Sequence, residues 1–503
     1  MILNKRNLEH IQHTELVKPS ANLLDIPEKV LQFGTGVLLR GLPDYFIDNA
    51  NRQGIFNGRI LVVKSTSQGD VDAFSTQDGL YTLAIRGIEE GNKIHENIIN
   101  SSISRVLSAA NDWKEILKAA HSPEMQVVFS NTTEVGIVMS EDKVTDMPPS
   151  SYPGKLLAFL YERFNAFGGS PESGMVIVPA ELISDNATKL QQIVFDLAVQ
   201  NNLEETFINW LKENNHFCNT LVDRIVPGKL PQEEQEILEQ QFGYTDELTI
   251  MAEPFRLWAI ESQHPRVAEI LSFAQADKGI FIVPSISKFK ELKLRLLNGT
   301  HTLSCALAIL AGFETVKEAM QDEAFTAYVK ALMEDEISAA ILSNSISRED
   351  TASFANSVID RFSNPSLEHK WQSIAMNYTS KMEMRNRELF EKWYQKYEHV
   401  PQHMALGFAA YLLFMNSKST SDGYCTTVGE KKYILQDEHA PLLASYWNDP
   451  ETLVEKVLAD PNLWGANLNN LPGFAASVSK QLNTLKNSGA KSAIESLQAE
   501  KTI

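Results

Sequence analysis

The stretch Val30–Gly41, VLQFGTGVLLRG, decides how the rest of the chain is read. A short apolar strand candidate, Val30–Phe33, runs straight into Gly34-x-Gly36 and then into a segment able to start a helix. In a dinucleotide-binding unit the first glycine permits the tight turn. The second lets the backbone approach a pyrophosphate, whose charge then sits at a helix N-terminus. The usual third glycine position holds Leu39, and Gly41 comes two residues late, so the match is partial. A lone Gly-x-Gly also serves as a plain strand–helix turn. Its place after the first strand of an alternating pattern favours the nucleotide reading.

Further strand candidates follow at Ile60–Val63, Met125–Ser130, Met175–Pro179 and Gly279–Val283, rich in Val, Ile and Phe and ended by polar, Gly or Pro residues. Between them lie helical patterns such as Ile103–Ala120, with Val106, Ile116 and Leu117 among its apolar positions. Alternation of this kind predicts an α/β domain, a largely parallel sheet with helices on its faces. From about Lys288 the chain turns to long stretches rich in Ala, Leu, Glu and Lys with hardly any β-type run, which predicts an all-helical second part. The expected division is a dinucleotide-binding α/β domain over 1–285 and a helical substrate and catalytic domain over 286–503.

Composition narrows the function. The 503 residues carry 45 Lys+Arg against 64 Asp+Glu, a net charge of −19, with 43% hydrophobic and 22% charged residues. One core rarely grows past roughly 250–300 residues, so two or three domains fit this length. The acidic balance excludes a nucleic-acid binder, which needs a basic surface to displace counterions, and disfavours anionic membranes. Cys218, Cys305 and Cys425 lie far apart, so neither a disulfide framework nor a cysteine zinc site is expected. No HExxH pattern occurs, and no metal site is expected. The first residues, MILNKRNLEHIQHTELVKPS, hold no apolar signal core, and the longest apolar run, Ala405–Met415, is too short to span a bilayer. The expectation is a cytoplasmic protein.

A second stretch carries chemistry: Lys288–Ala306, KFKELKLRLLNGTHTLSCA, with the spacing Lys293-x4-Asn298-x2-His301. On an α-helix Asn298 and His301 are neighbours. Lys293, eight residues before His301, lies about 80° round the axis at 100° per residue. One side of the helix then presents an amine, an amide and an imidazole. Gly299 inside a helix costs about 1 kcal/mol, which suggests that something approaches the backbone closely. The stretch equally fits a solvated basic face of Lys288, Lys290 and Arg295 ahead of a core histidine.

Further on, Asn364-Pro365 reads as an N-cap and first helical residue. Leu367, Trp371, Ile374 and Tyr378 then form an apolar stripe, while His369, Ser373, Asn377 and Lys381 recur every fourth residue on another side. Such a polar stripe either faces water or lines a pocket. At the end of the second strand Lys64 stands where an NAD site often has an acidic residue for the ribose hydroxyls. That leaves NADP open on physical grounds, although a strand-end lysine can also turn to solvent.

Taken together, these motifs resemble the polyol-specific long-chain dehydrogenases, the family that includes mannitol dehydrogenase. Lys293-x4-Asn298-x2-His301 matches its catalytic motif, Val222-Asp223-Arg224-Ile225 its signature segment, and Gln32–Arg40 its variant nucleotide loop. Ser75–Thr82 (STQDGLYT), Phe129–Ile137 (FSNTTEVGI), Ser151–Leu156 (SYPGKL) and Pro179–Ile183 (PAELI) resemble the tagaturonate branch in particular. The similarity runs from about residue 28 to the C-terminal helices. It implies a Rossmann-like N-terminal domain plus a mainly α-helical C-terminal domain. It also implies metal-independent hydride transfer with NAD, bound by Phe33, Gly34, Thr35, Gly36, Val37, Leu38, Asn131 and Thr132.

By the same resemblance Lys293 is the general acid in reduction and the base in oxidation, Asn298 the oxyanion donor, and His301 the group that orients the substrate oxygen. The substrate is a five- or six-carbon keto sugar acid, met by Asp223, His369 and Lys381, with Arg361 a further carboxylate candidate. Two positions depart from the family. An asparagine expected after Ala180-Glu181 is Leu182, with Asn186 as a candidate replacement, and an arginine expected eight residues before Lys381 is Ser373. Fructuronate reduction and mannitol-type polyol oxidation share the catalytic motif. A nucleotide-binding regulatory protein without turnover is the reading from another class. The expected partner is a small molecule, with no nucleic acid or membrane, and the expected state a monomer or small homo-oligomer.

Overall fold

The structure is a computed structural model that describes residues 1–65, 71–132 and 136–501. It divides into two compact units, residues 1–86 with 93–286, and residues 87–92 with 287–503. Up to residue 286 the strands are β1 (Leu16–Val17), β2 (Glu28–Phe33), β3 (Arg59–Lys64), β4 (Tyr81–Glu89), β5 (Asn92–Asn100), β6 (Ile103–Ser108), β7 (Val127–Ser130), β8 (Val176–Pro179), β9 (His216–Phe217), β10 (Thr220–Asp223), β11 (Ile250–Ala252), β12 (Leu257–Glu261) and β13 (Ile280–Val283).

Among the described residues a six-stranded, all-parallel sheet runs β6-β3-β2-β7-β8-β9. By order of appearance that is 3-2-1-4-5-6, the Rossmann arrangement. The helices α1 (Val37–Gly41), α2 (Pro43–Arg52), α3 (Ala109–Ala119), α4 (Tyr152–Ala166) and α5 (Asn186–Gln200) lie along its crossovers. Both faces are covered, so the central strands read as continuous apolar runs. Val30, Val62, Phe129 and Val178 enter one core; Leu31, Phe33, Leu61, Val63, Val128 and Ile177 enter the other, with Trp113, Ile116 and Phe159. Period-two alternation along each strand divides them.

Two expectations change here. Ile103–Ala120 is not one helix: Ile103–Ser108 is β6, paired with β3, and the helix starts at Ala109. The β-branched Ile103 and Val106 serve the sheet edge, whereas Ile116 and Leu117 belong to α3. The strand expected at Gly279–Val283 exists as β13, but it sits in a separate three-stranded sheet, antiparallel between β10 and β12 and parallel between β12 and β13. A four-stranded sheet, β1-β5-β4-β11, completes the strands of this part.

In the second unit the elements that matter for chemistry are α6 (Ser287–Leu292), a π-helical turn over Lys293–Gly299, α7 (Thr300–Leu310), α8 (Arg348–Phe362), α9 (Trp371–Ile374), α10 (Tyr378–Tyr394), α11 (Gln402–Phe414) and α12 (Phe474–Lys501). The apolar run Ala405–Met415 forms most of α11, buried and packed against α7 and α12. Among the described residues no helix is long and apolar enough to cross a membrane. The unit is not all-helical. β14 (Lys418–Thr420), β15 (Gly423–Val428) and β16 (Lys431–Ile434) form an antiparallel sheet. Their Lys- and Thr-rich, largely exposed residues carry little apolar signal.

One buried carboxyl sits on α2, bonded to the strand β2 that precedes the first crossover. Asp44 of α2 is wholly buried; Gln32 Nε2 donates to its Oδ2 at 3.4 Å, and Oδ1 has no partner. Burial raises its pKa to about 8 against the opposing pull of Gln32 and Arg40. A carboxyl that gains proton affinity on folding costs stability as pH rises from its unfolded value through its folded one. Asp44→Asn, shaped like the neutral acid, is expected to raise the melting temperature by several degrees at about pH 9 and far less at about pH 4. Equal shifts at both pH values by calorimetry would mean that Asp44 keeps its ordinary acidity.

Candidate active site

β2 ends at Phe33 and the chain turns at Gly34, whose φ of +126° excludes an ordinary side chain. A Cβ there would stand 3.0 Å from Leu39 Cδ1 and 3.3 Å from the Asn131 carbonyl oxygen. At Gly36 a Cβ would meet nothing within 4 Å. Its bare backbone therefore faces open space, as close approach of a pyrophosphate requires. Gly34 N donates to Val63 O at 3.0 Å and Asn131 N to Phe33 O at 3.3 Å. Phe33, Gly34, Thr35, Gly36, Val37 and Leu38 thus share the carboxyl end of the sheet with Asn131 and Thr132, where the strand order reverses between β2 and β7. Open α/β sheets bind ligands at that switch point.

Buried Glu181 fixes the second side of this crevice. Its Oε1 accepts from Thr132 N (2.9 Å) and Thr132 Oγ1 (3.1 Å), and its Oε2 from Ser130 Oγ (3.1 Å). Burial raises its pKa, and those hydrogen bonds oppose the rise. Of the segment Phe129–Ile137, residues 133–135 lie outside the described residues. The signature segment braces the other side. Arg224 Nη1 donates to Gly41 O at 2.7 Å, its guanidinium lies 4.6 Å from the Tyr45 ring centre, and a Cβ on Gly41 would collide with Val226 Cγ2 at 2.7 Å. The late glycine is thus the close-packing one. Asp223 ends β10 and is buried.

Two sequence expectations need correction here. Lys64 is only 9% exposed at the end of β3, so it does not turn to solvent. Asn186 does not replace the missing asparagine: its Nδ2 donates to Pro179 O, Glu181 O and Thr220 Oγ1, and its Oδ1 accepts from Ala187 N and Thr220 N. Every valence of that amide is spent on backbone and neighbour. Leu182, at the vacated position, is 62% exposed.

In the second unit Lys293–Gly299 is π-helical, bonded i→i+5 between α6 and α7. The 100° arithmetic fails there. With more than four residues per turn, Lys293 and Asn298, five apart, come one above the other, and His301 follows in α7. α10 clamps this turn. A Cβ on Gly299 would stand 2.9 Å from Asn386 Oδ1. Arg295 is 2% exposed instead of solvated; it pairs with Glu291 and Glu388 and donates to the carbonyls of Met384 and Arg385. Lys293 and Asn298 are half-buried, and the Asn298 side-chain amide makes no hydrogen bond to another described residue.

His301 is 9% exposed, stacked on Phe362 with centroids 4.2 Å apart and edge-on to His369 at 5.1 Å. Its buried Nε2 has no hydrogen-bond partner. Burial, then the charges of His369, Arg361, Arg385 and Lys381, press its pKa well below the usual 6.5, so the ring is neutral. Burial and the charges of Arg361 and Lys381 likewise lower His369. Burial and Arg385 lower Lys381.

The long helix expected from Asn364-Pro365 is absent. α8 ends at Phe362, α9 spans only Trp371–Ile374, and Asn377, with a left-handed φ of 51°, separates it from α10. The chain after β16 imposes this break. Asn377 N donates to Gln436 O at 2.8 Å, and Thr379 N to Asp437 Oδ2 at 2.7 Å. Ser373 and Asn377 are exposed, and of the four stripe residues only His369 and Lys381 bear on His301. Sequence reasoning passed over Arg385, one turn beyond Lys381 on α10; the i, i+4 spacing was the available signal.

Gly299→Ala drives a Cβ against Asn386 Oδ1. It is expected to cost about 1–3 kcal/mol of stability by calorimetry, with Asn386→Ala in the same chain restoring part of the loss. An undiminished single variant would mean that the approach of α10 does not constrain the turn.

Residues 28–270 match the mannitol dehydrogenase Rossmann domain and residues 285–486 the mannitol dehydrogenase C-terminal domain. The altronate oxidoreductase of Bacillus subtilis is 35% identical over 93% of this chain and 95% of its own length. That of Klebsiella pneumoniae is 36% identical over 94% and 97%. That of Phocaeicola vulgatus is 34% identical over 94% and 98%. Among solved structures, Pseudomonas fluorescens mannitol 2-dehydrogenase in complex with NAD and D-mannitol shares the fold at TM-score 0.67 and 22% identity, over 99% of this chain and 100% of that one. A substrate-free D-sorbitol dehydrogenase does so at TM-score 0.79 and 21% identity, over 98% and 100%. With both domains matched and near-full-length relatives at about a third identity, the chain belongs to the mannitol dehydrogenase family.

Proposed function

We propose that this oxidoreductase interconverts tagaturonate and altronate by hydride transfer with NAD, independently of a metal, through a lysine general acid/base. The observation that carries the substrate class is the gathering of two cations, Arg361 and Lys381, with the hydrogen-bonding ring of His369, beside neutral His301. A chain of net charge −19 repels an acidic sugar, so it needs such a local positive site. The names of its near-full-length relatives, altronate oxidoreductases, supply the particular keto acid. For the cofactor, the turn at Gly34, the bare backbone of Gly36 and the facing Asn131 and Thr132 suit a dinucleotide. NAD is our choice over NADP because buried Lys64 presents no exposed charge for a ribose phosphate and the mannitol 2-dehydrogenase complex holds NAD.

Bound NADH would supply the hydride. The chain's own residues supply the rest. Lys293 gives a proton to the ketone oxygen in reduction and takes it back in alcohol oxidation. Asn298, its amide uncommitted among the described residues, donates to the oxygen as negative charge develops there, a contact typically worth about 3–4 kcal/mol. His301, neutral and buried, orients that oxygen by hydrogen bonding without competing as an acid. Lys381 and His369, with Arg361, meet the carboxylate. Asp223 is assigned to sugar hydroxyls on the strength of the signature segment.

Initial rates of NADH oxidation with tagaturonate, with fructuronate, fructose and NADPH as controls, test the reading. Turnover with tagaturonate and NADH is expected; turnover only with another ketose would remove the substrate assignment, and cofactor binding without turnover would revive a regulatory role. Lys293→Ala is expected to lower kcat by about 10³-fold or more with cofactor affinity little changed; undiminished turnover would dismiss Lys293 as the acid. Because Lys381 titrates below an ordinary lysine, KM for the keto acid should climb on the alkaline side before free lysine would lose its charge. Lys381→Met should raise KM for the acid far more than for fructose and flatten that climb. Equal effects on both substrates would mean that Lys381 does not meet the carboxylate.

A further inference from the structure

We infer that Arg385 is a specificity-determining residue that binds the substrate's carboxylate and ties it to the turn carrying Asn298. This rests on the keto sugar acid reading above and adds a residue to it.

The argument begins with what holds Arg385. Its Nη1 donates to Thr302 Oγ1 at 3.1 Å and to Asn298 O at 3.4 Å, both neutral acceptors. Thr302 Oγ1 in turn donates to Asn298 O at 2.9 Å, so the guanidinium hangs from the end of the π-helical turn. A guanidinium offers five N–H donors in a planar fork. Nε and Nη2 find no acceptor among the described residues, and neither is sealed from solvent. Two other arginines of this unit are matched: Arg295 by Glu291 and Glu388, and Arg387, two residues further along α10, by Glu383, Glu388 and Glu391. Arg385 has no carboxylate among the described residues.

Lys381 shares that condition one helical turn away. Among the described residues its Nζ donates only to Ile374 O, at 3.0 Å. Like charges at i, i+4 destabilise a helix, and burial deepens the cost for both groups. Both charges bear on His301. Two unneutralised cations beside a neutral imidazole call for an anion. A sugar acid brings one, and a planar fork matches a carboxylate with two parallel hydrogen bonds, which a lysine cannot do. The same guanidinium that meets the carboxylate also holds the Asn298 carbonyl, so docking the acid end steadies the turn that offers the Asn298 amide.

The test uses Arg385→Gln, which keeps a polar amide but loses the charge and the fork, and Arg385→Lys, which keeps the charge. Steady-state rates with NADH are compared on tagaturonate and on fructose, and calorimetry gives the affinity for gluconate and for sorbitol in the presence of NAD. In Arg385→Gln, kcat/KM on the keto acid is expected to fall about 100-fold, mainly through KM. That loss should be at least tenfold greater than the loss on fructose, with gluconate affinity falling in step and Arg385→Lys recovering only part. Equal losses on acid and uncharged ligands would overturn the inference and leave Arg385 a support for the turn; no loss would overturn it outright. If wild-type protein turns over no keto acid, the proposed function fails. Gluconate against sorbitol binding in wild type and variant then still decides Arg385, and wild-type protein that binds no gluconate rejects it.

Discussion

The bare Cα of Gly299 lets Asn386 of α10 stand against the backbone of the turn that carries Lys293 and Asn298. Arg295, buried and bonded to Glu388 and to the carbonyls of Met384 and Arg385, holds the same two helices together about one turn earlier. Between these supports the backbone is π-helical, with i→i+5 bonding. A π turn is rare and costly, and persists where surrounding contacts over-determine it. The return is geometric: five residues make about one turn, so an amine and an amide rise together from one side. In an ordinary α-helix the same pair would be fanned apart by more than a quarter turn.

Electrostatics then shape what this turn can act on. The chain is strongly acidic, yet three cations, Arg361, Arg385 and Lys381, add to burial in pressing the His301 pKa down. Burial, with those charges behind it, holds the imidazole uncharged. Under the proposed function Lys293 is then the proton carrier, His301 a director of hydrogen bonds, and the substrate's anion the group that completes the site. In the other unit a different device serves the nucleotide loop: buried Glu181 and the stacked, carbonyl-bound Arg224 stiffen its two flanks.

Much of the fold was legible because parallel strands covered on both faces are continuous apolar runs, and Val30–Phe33, Ile60–Val63, Met125–Ser130 and Met175–Pro179 stand out as such. β5, NKIHENIIN, is largely exposed over its first half and reads as loop or surface. β14 to β16 escaped for the same reason. The helix drawn through Asn364–Lys381 failed because contacts far along the chain, from Gln436 and Asp437, force Asn377 into a left-handed conformation that no local pattern announces. Spacing singled out Lys293, Asn298 and His301, but with α-helical angles that the π turn replaces. Lys381 was found through the resemblance. Arg385 was not, although its i, i+4 spacing from Lys381 was there to be read; that no carboxylate pairs with it among the described residues shows only in three dimensions.

The most direct measurement follows the hydride itself. NADH deuterated at the transferable position of nicotinamide C4 is incubated with tagaturonate, and the sugar acid is recovered for mass spectrometry and NMR. The account predicts altronate bearing a single deuterium on the carbon that had been the ketone. NADH consumed with no deuterium in the sugar acid, or tagaturonate recovered unchanged, would contradict it.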